Sequence, residues 1–110
     1  TILQYYQAKN YQAAIPLIEP LLKDTSTNDE WKIVLGICYL NTNNNAAAIG
    51  LFDNIANSEV YFMRDLGQWY LALTHFKNED KAAAKPILEQ LAQQKNGKYA
   101  KLAKDLLSKL

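Results

Sequence analysis

Residues 44–53 read NNAAAIGLFD, and the same arrangement occurs twice more without gaps, as NYQAAIPLIE at 10–19 and DKAAAKPILE at 80–89. Ala14, Ala48 and Ala84 coincide, as do Ile18, Phe52 and Leu88, then the acids Glu19, Asp53 and Glu89, and beyond them Leu21, Ile55 and Leu91. The copies lie 34 and 36 residues apart. A unit of that length holds two short helices and a turn. It cannot bury both its faces alone, so copies must stack and share a core. The coincident alanines have a mechanical meaning, because a one-carbon side chain lets two helix backbones approach to about 8 Å, the near end of the helix packing range.

Outward from these segments the chain reads as all helix. No stretch alternates apolar and polar residues for long, and alanine, leucine, lysine and glutamine dominate the second half. Polar clusters punctuate it at short intervals, and the breaks predict helices over 2–8, 11–23, 29–41, 45–56, 59–76, 80–94 and 98–109. Several breaks carry helix-start chemistry: Thr27 followed by Glu30 fits a capping box, and Asn10, Ser58 and Asn78 are candidate N-caps. Asn96-Gly97 supplies residues suited to a left-handed helix end. Pro16, Pro20 and Pro86 fall inside expected helices, and Pro20, deepest in its helix, should bend it.

The helices differ in apolar width. From Trp31 to Leu40 only Lys32 and Gly36 interrupt the apolar residues, and Phe62, Met63, Leu66, Trp69, Tyr70, Leu71, Leu73 and Phe76 cover most of the fifth helix. Such helices need contacts on more than one side. The fourth and sixth show a single stripe, opposed by Asp53 and Asn54 or by Lys85, Glu89 and Gln90, and can lie on the outside. The last helix has a stripe of Tyr99, Leu102, Ala103, Leu106, Leu107 and Leu110 with lysines opposite.

At this point the residues resemble the tetratricopeptide repeats. Leu35-Gly36-Ile37-Cys38-Tyr39 matches the first-helix element L-G-x-x-Y, with Ala48 and Phe52 following at the family's distance; Leu71-Ala72 and His75 stand at the same places in the third copy. The family's tryptophan position falls on Lys32 and Gln68, with Trp31 and Trp69 each one place away. The resemblance implies an all-α, right-handed superhelical solenoid of antiparallel helix pairs with a C-terminal capping helix. Its expected divisions are a truncated first repeat at 1–28, repeats at 29–58 and 59–96, and the cap at 97–110.

Composition excludes several function classes. The 110 residues carry a net charge of +1, and a pI near 7.7 gives no strong pull towards nucleic acid or anionic membrane. No apolar run approaches the roughly 18 residues of a membrane span. One histidine and one cysteine make a dedicated metal site improbable, and the four glycines are isolated, so no phosphate-cradling loop exists. His75 and Cys38 read as packing residues, and no cofactor is expected. Charge is uneven, −3 over residues 1–65 and +4 over 66–110, yet the lysines of the last helix read as its solvated face. The compartment, cytoplasmic or periplasmic, is undetermined by the sequence.

The resemblance further implies a non-catalytic protein-interaction module whose partner is a protein or peptide. Carrying the family's groove-lining first-helix positions onto this chain selects Leu3, Tyr6 and Gln7, then Glu30, Ile33, Ile37, Leu40 and Asn41, then Leu66, Trp69, Leu73, Phe76 and Lys77. The apolar members suit an amphipathic helix or extended apolar peptide, with Trp69 and Phe76 as anchors and Glu30, Asn41 and Lys77 at a polar rim. The alternative is a structural or oligomerisation segment whose apolar face is permanently covered, by the last helix, an upstream segment or another copy. No carboxylate clamp is visible, since Ile33, Val34, Ile37, Leu66 and Tyr70 occupy the positions it uses.

Overall fold

In the computed structural model, which describes residues 1–23, 29–95 and 97–110, seven α-helices and one 3₁₀ segment follow one another: α1 (Ile2–Gln7), α2 (Tyr11–Ile18), the 3₁₀ segment (Glu19–Lys23), α3 (Asp29–Asn41), α4 (Asn45–Ala56), α5 (Tyr61–Lys77), α6 (Lys81–Ala92) and α7 (Ala100–Leu107). Each helix packs on its neighbours in sequence, and α3 also touches α5. The Cα radius of gyration is 14.1 Å, against about 13 Å for a compact chain of this length. Hairpins laid side by side account for the extension.

The three repeated segments form α2, α4 and α6, and their alanines do what the alignment requires. Ala14, Ala48 and Ala84 are all wholly buried, as are Ile18, Phe52 and Leu88 four residues on, while Glu19, Asp53 and Glu89 are exposed. Around them the core divides into three clusters. The first gathers Ala14, Ile15, Ile18, Leu35 and Cys38; the second Ala48, Phe52, Ile55, Ala56 and Leu71; the third Ala72, Ala84, Leu88, Leu91 and Ala103. Tyr39 packs against the first two and Ile87 against the last two, so the clusters are continuous along the stack.

The repeat also governs the backbone between paired helices. Lys9, Asn43 and Glu79 have φ of 60°, 63° and 63°, and they stand at the same offsets as the alanines. After each, the next amide donates back six residues' span into the first helix: Asn10 N–H to Tyr5 O, Asn44 N–H to Tyr39 O and Asp80 N–H to His75 O, each at 2.8 Å. This is the bond that closes a helix C-terminus through a left-handed residue. It satisfies a carbonyl the helix would otherwise leave bare.

Several expectations need correction. The helix over 11–23 is interrupted: α2 stops at Ile18 and continues as a 3₁₀ segment containing Pro20. Proline lacks the N–H that would bond the carbonyl four residues back, and its ring crowds that carbonyl, so the chain tightens there. The tighter winding breaks one equivalence. Ile55 and Leu91 are wholly buried, but Leu21 is 38% exposed, and Leu22 packs against the first cluster instead. Pro16 and Pro86, one and a half turns into their helices, are accommodated.

Asn10 caps α2, its Oδ1 accepting from Ala13 N–H, but Asp80 rather than Asn78 caps α6 in the same way. Asn78 ends α5 instead. α5 starts at Tyr61 after Val60, with Ser58 Oγ accepting from Val60 N–H, so Ser58 closes the preceding loop rather than the helix. The Thr27–Glu30 capping box and Asn96 involve positions outside the described residues. Leu102, expected in the buried stripe of the last helix, is 47% exposed. The outward faces behave as read, with Asp53, Asn54, Lys85, Glu89 and Gln90 all exposed.

Candidate protein-binding surface

α1, α3 and α5 adjoin one another in turn: α1 and α3 flank a cleft, and α3 touches α5. Ile2, Leu3 and Tyr6 of α1 and Glu30, Trp31 and Val34 of α3 line a mainly apolar cleft of about 250 Å³ between the two helices. Further along, Ile33, Ile37 and Leu40 of α3 are half-buried and pack against the second cluster. On α5, Leu66, Trp69, Leu73 and Phe76 are likewise half-buried, with Trp69 and Phe76 packed against the third cluster. Five of them, Ile33, Ile37, Leu40, Trp69 and Phe76, therefore divide their surface between core and solvent. Leu3 stands apart at 63% exposed.

Two of the polar rim positions are engaged by the backbone. Lys77 Nζ donates to Leu40 O at 2.7 Å, bringing an ammonium to the carbonyl end of α3, where the helix dipole favours a cation. Asn41 Nδ2 donates to Ile37 O at 2.8 Å within its own helix. Glu30 is exposed and edges the α1–α3 cleft. Gln7 is exposed at the end of α1.

Three tyrosines on or near these helices have raised phenols. Burial pushes the Tyr6 phenol above its usual value, and Tyr70, Tyr11 and Cys38 nearby add to the effect. Tyr99 is raised by burial first, then by Tyr70 and Asp65. Tyr39 is raised by burial and by its bond to Glu19, whose Oε2 accepts from the phenol at 3.0 Å and ties the 3₁₀ segment to α3. Tyr99 also lies flat on Trp69, with ring centroids 5.9 Å apart and planes at 14°. The segment before α7 thus covers one of the two expected anchors. Cys38 is wholly buried and its thiol is pushed up by burial, which removes the thiolate that reactivity needs.

Reading the sequence missed a second surface. Val60, Tyr61 and Phe62 are 47%, 68% and 60% exposed at the start of α5, the two rings edge to face at 6.1 Å. Tyr61 and Phe62 join Arg64, Asp65, Gln94, Lys95, Gly97, Lys98 and Tyr99 around a cleft of about 460 Å³. The signal was four consecutive apolar residues, Val60 to Met63, opening a helix. Successive residues are about 100° apart, so four in a row span most of the circumference and cannot all face one core. Met63 packs against the second cluster and the others do not.

Among the described residues no group of three or more His, Cys, Asp or Glu side chains is placed to hold a metal ion, and no helix is long and apolar enough to cross a membrane. No curated protein and no solved structure gives a significant match to the chain. A family model does: the tetratricopeptide repeat matches residues 5–60, from the end of α1 to the residue before α5. Those residues include two of the three left-handed turns and two of the three buried alanines. With the match spanning half the chain, the paired-helix repeat and the all-helical fold, the chain belongs to the tetratricopeptide repeat family.

Proposed function

We propose that the chain is a non-catalytic module that holds a peptide or helix of a partner protein against the face shared by α1, α3 and α5. Repeats of this family generally mediate protein–protein interaction and are typically without catalytic activity. The observation that carries the finer reading is the continuity of half-buried apolar side chains from the α1–α3 cleft through Ile33, Ile37 and Leu40 to Leu66, Leu73 and Phe76. Side chains anchored in the core on one side and open on the other present a firm apolar surface at little cost in side-chain entropy, which is what a peptide-binding groove requires. Partners are proteins or peptides, and no cofactor enters the reading.

Partner capture tests it. The chain is used as bait in lysate, and the captured protein is then offered to Leu73→Ala and Phe76→Ala variants. Both should weaken capture several-fold while helix content by circular dichroism stays near that of the parent. If capture is unchanged, or if both variants unfold so that the side chains are core, the binding face is elsewhere. The alternative, a segment whose apolar face is permanently covered, is favoured by one observation, the stacking of Tyr99 on Trp69. A mass in solution that rises with concentration would support it as an oligomerisation segment.

A further inference from the structure

The exposed aromatic side chains at the start of α5 stand outside that face and need their own explanation. Val60, Tyr61 and Phe62 together form an apolar patch that no segment of the described chain covers, and water meets it at a free-energy cost. Beside the patch the chain folds a concave site rather than a flat one. Its volume is about 460 Å³, close to what one or two large side chains occupy.

The floor of this cleft is fixed. Tyr99 is only 9% exposed, lies on Trp69 and carries Lys98 Nζ 5.6 Å from its ring centroid. Aromatic walls come from Tyr61 and Phe62. The charged members are Arg64, Lys95 and Lys98 against the single acid Asp65, and Asp65 already accepts from Gln94 Nε2 at 3.4 Å. Arg64, Lys95 and Lys98 are all exposed, and no described acid pairs with any of them. The site therefore joins an aromatic pocket with a held floor to a cationic rim.

We propose that this cleft is a docking site for an acidic–apolar segment of a partner protein, one large apolar side chain entering between Phe62 and Tyr99 while neighbouring carboxylates meet Arg64, Lys95 and Lys98. Charge decides the choice of occupant. A two-fold contact with a second copy would set one cationic cleft against another, and like charges brought together without counterions are repelled. An anionic bilayer would match the charge, but a flat lipid surface does not fill a concavity with a buried floor, whereas an inserted side chain does. This inference does not rest on the reading of the α1–α3–α5 face.

The test is a random-peptide library displayed on phage and selected on the immobilised 110-residue chain. Enriched peptides should pair a phenylalanine, tryptophan or leucine with two or more aspartates or glutamates. One of them, synthesised with a fluorophore and followed by anisotropy, should bind about tenfold or more weakly to Phe62→Ser and to the Arg64→Glu, Lys98→Glu double variant. The double variant should regain affinity for the same peptide with lysines in place of its acids, a rescue that a damaged fold cannot give. Leu73→Ala should bind as the parent does, and because Tyr61 and Phe62 are so exposed the Phe62→Ser variant should keep the parent's helix content. Enriched peptides without acids, unchanged affinity in these variants, or loss with Leu73→Ala instead would overturn the inference, the last while leaving the proposed function standing. So would binding to phosphatidylserine vesicles with no peptide enriched, or a concentration-dependent dimer abolished by Phe62→Ser.

Discussion

Replacing Gly67 with alanine would set a Cβ 2.5 Å from the Ala56 amide nitrogen, 2.7 Å from the Ile55 carbonyl carbon and 2.8 Å from Ile55 Cγ2. Ordinary contact between such atoms needs about 3.5 Å or more, so the last turn of α4 and the middle of α5 must separate by about 1 Å. Two of the three atoms are backbone and cannot rotate aside. Overpacking of this kind costs about 1–3 kcal/mol, and the rigid neighbours put this site near the top of that range. Alanine's better helix propensity returns about 1 kcal/mol. The net loss is then about 2 kcal/mol, or about 10 °C in Tm for a domain of this size. Gly50 is the control: in the interior of α4 with nothing within 4 Å of a Cβ, Gly50→Ala should gain about 0.5–1 kcal/mol. Gly36 should fall between, since its Cβ meets the ring of Phe52 at 2.6 Å, a side chain rather than backbone. Urea unfolding followed by circular dichroism ranks the three. If Gly67→Ala matches or exceeds the parent in stability, the close approach of α5 to the end of α4 is wrong.

The left-handed turns give a second prediction: Lys9→Gly and Glu79→Gly should each stabilise by about 0.5 kcal/mol, the relief of φ strain exceeding the extra freedom of the unfolded chain, while Asn43→Gly changes little because asparagine already tolerates the conformation. Equal urea midpoints for all three would remove the strain argument. Ala48→Leu and Ala84→Leu should each lose about 1–3 kcal/mol by overpacking wholly buried positions, and unchanged thermal midpoints would contradict the register of the repeat. Alkaline pH should destabilise the fold. Tyr6, Tyr39 and Tyr99 have phenols raised in the native state, so their contribution is complete below the unfolded value near 10 and is lost as pH rises through the higher folded values. Tyr39→Phe should lower stability at neutral pH by loss of the Glu19 bond yet make the alkaline decline shallower, as read from urea midpoints on both sides of pH about 10.

How much was legible in advance depended on periodicity. Ala48 and Phe52 could be placed in the core because their counterparts recur in phase, and three copies outweigh the ambiguity of any one. Where a local effect overrode the period, reading failed: Pro20 tightened the chain and exchanged the roles of Leu21 and Leu22, although the alignment alone set Leu21 beside Ile55 and Leu91. The left-handed residues were missed because lysine and glutamate do not announce that conformation, and only their common offset in three turns identifies it. Ser58 and Asn78 have capping side chains, but each sits two residues before the N-cap and three before the helix proper, where the competing turn claims it. For the binding surface, carrying the family's groove positions onto the chain could select Trp69 but not foresee that Tyr99, thirty residues on in the sequence, would lie across it. Nor could it distinguish Met63, which packs inward, from Tyr61 and Phe62, which do not.

The partition of the core into three groups, joined among the described residues through Tyr39 and through Ile87, makes this chain behave more like a zip fastener than a sphere. Loss of order at one end removes only what touches the adjoining hairpin, so the molecule can open by degrees rather than all at once. The α1–α2 hairpin, which packs most lightly on its neighbours and whose Leu3, Tyr5 and Leu17 already meet water, is where that opening should begin, and the broad seam between α4 and α5 should be the last to part. A ligand gripping α1 and α3 together would clasp the loose end, and its affinity would be spent partly on holding the fastener shut.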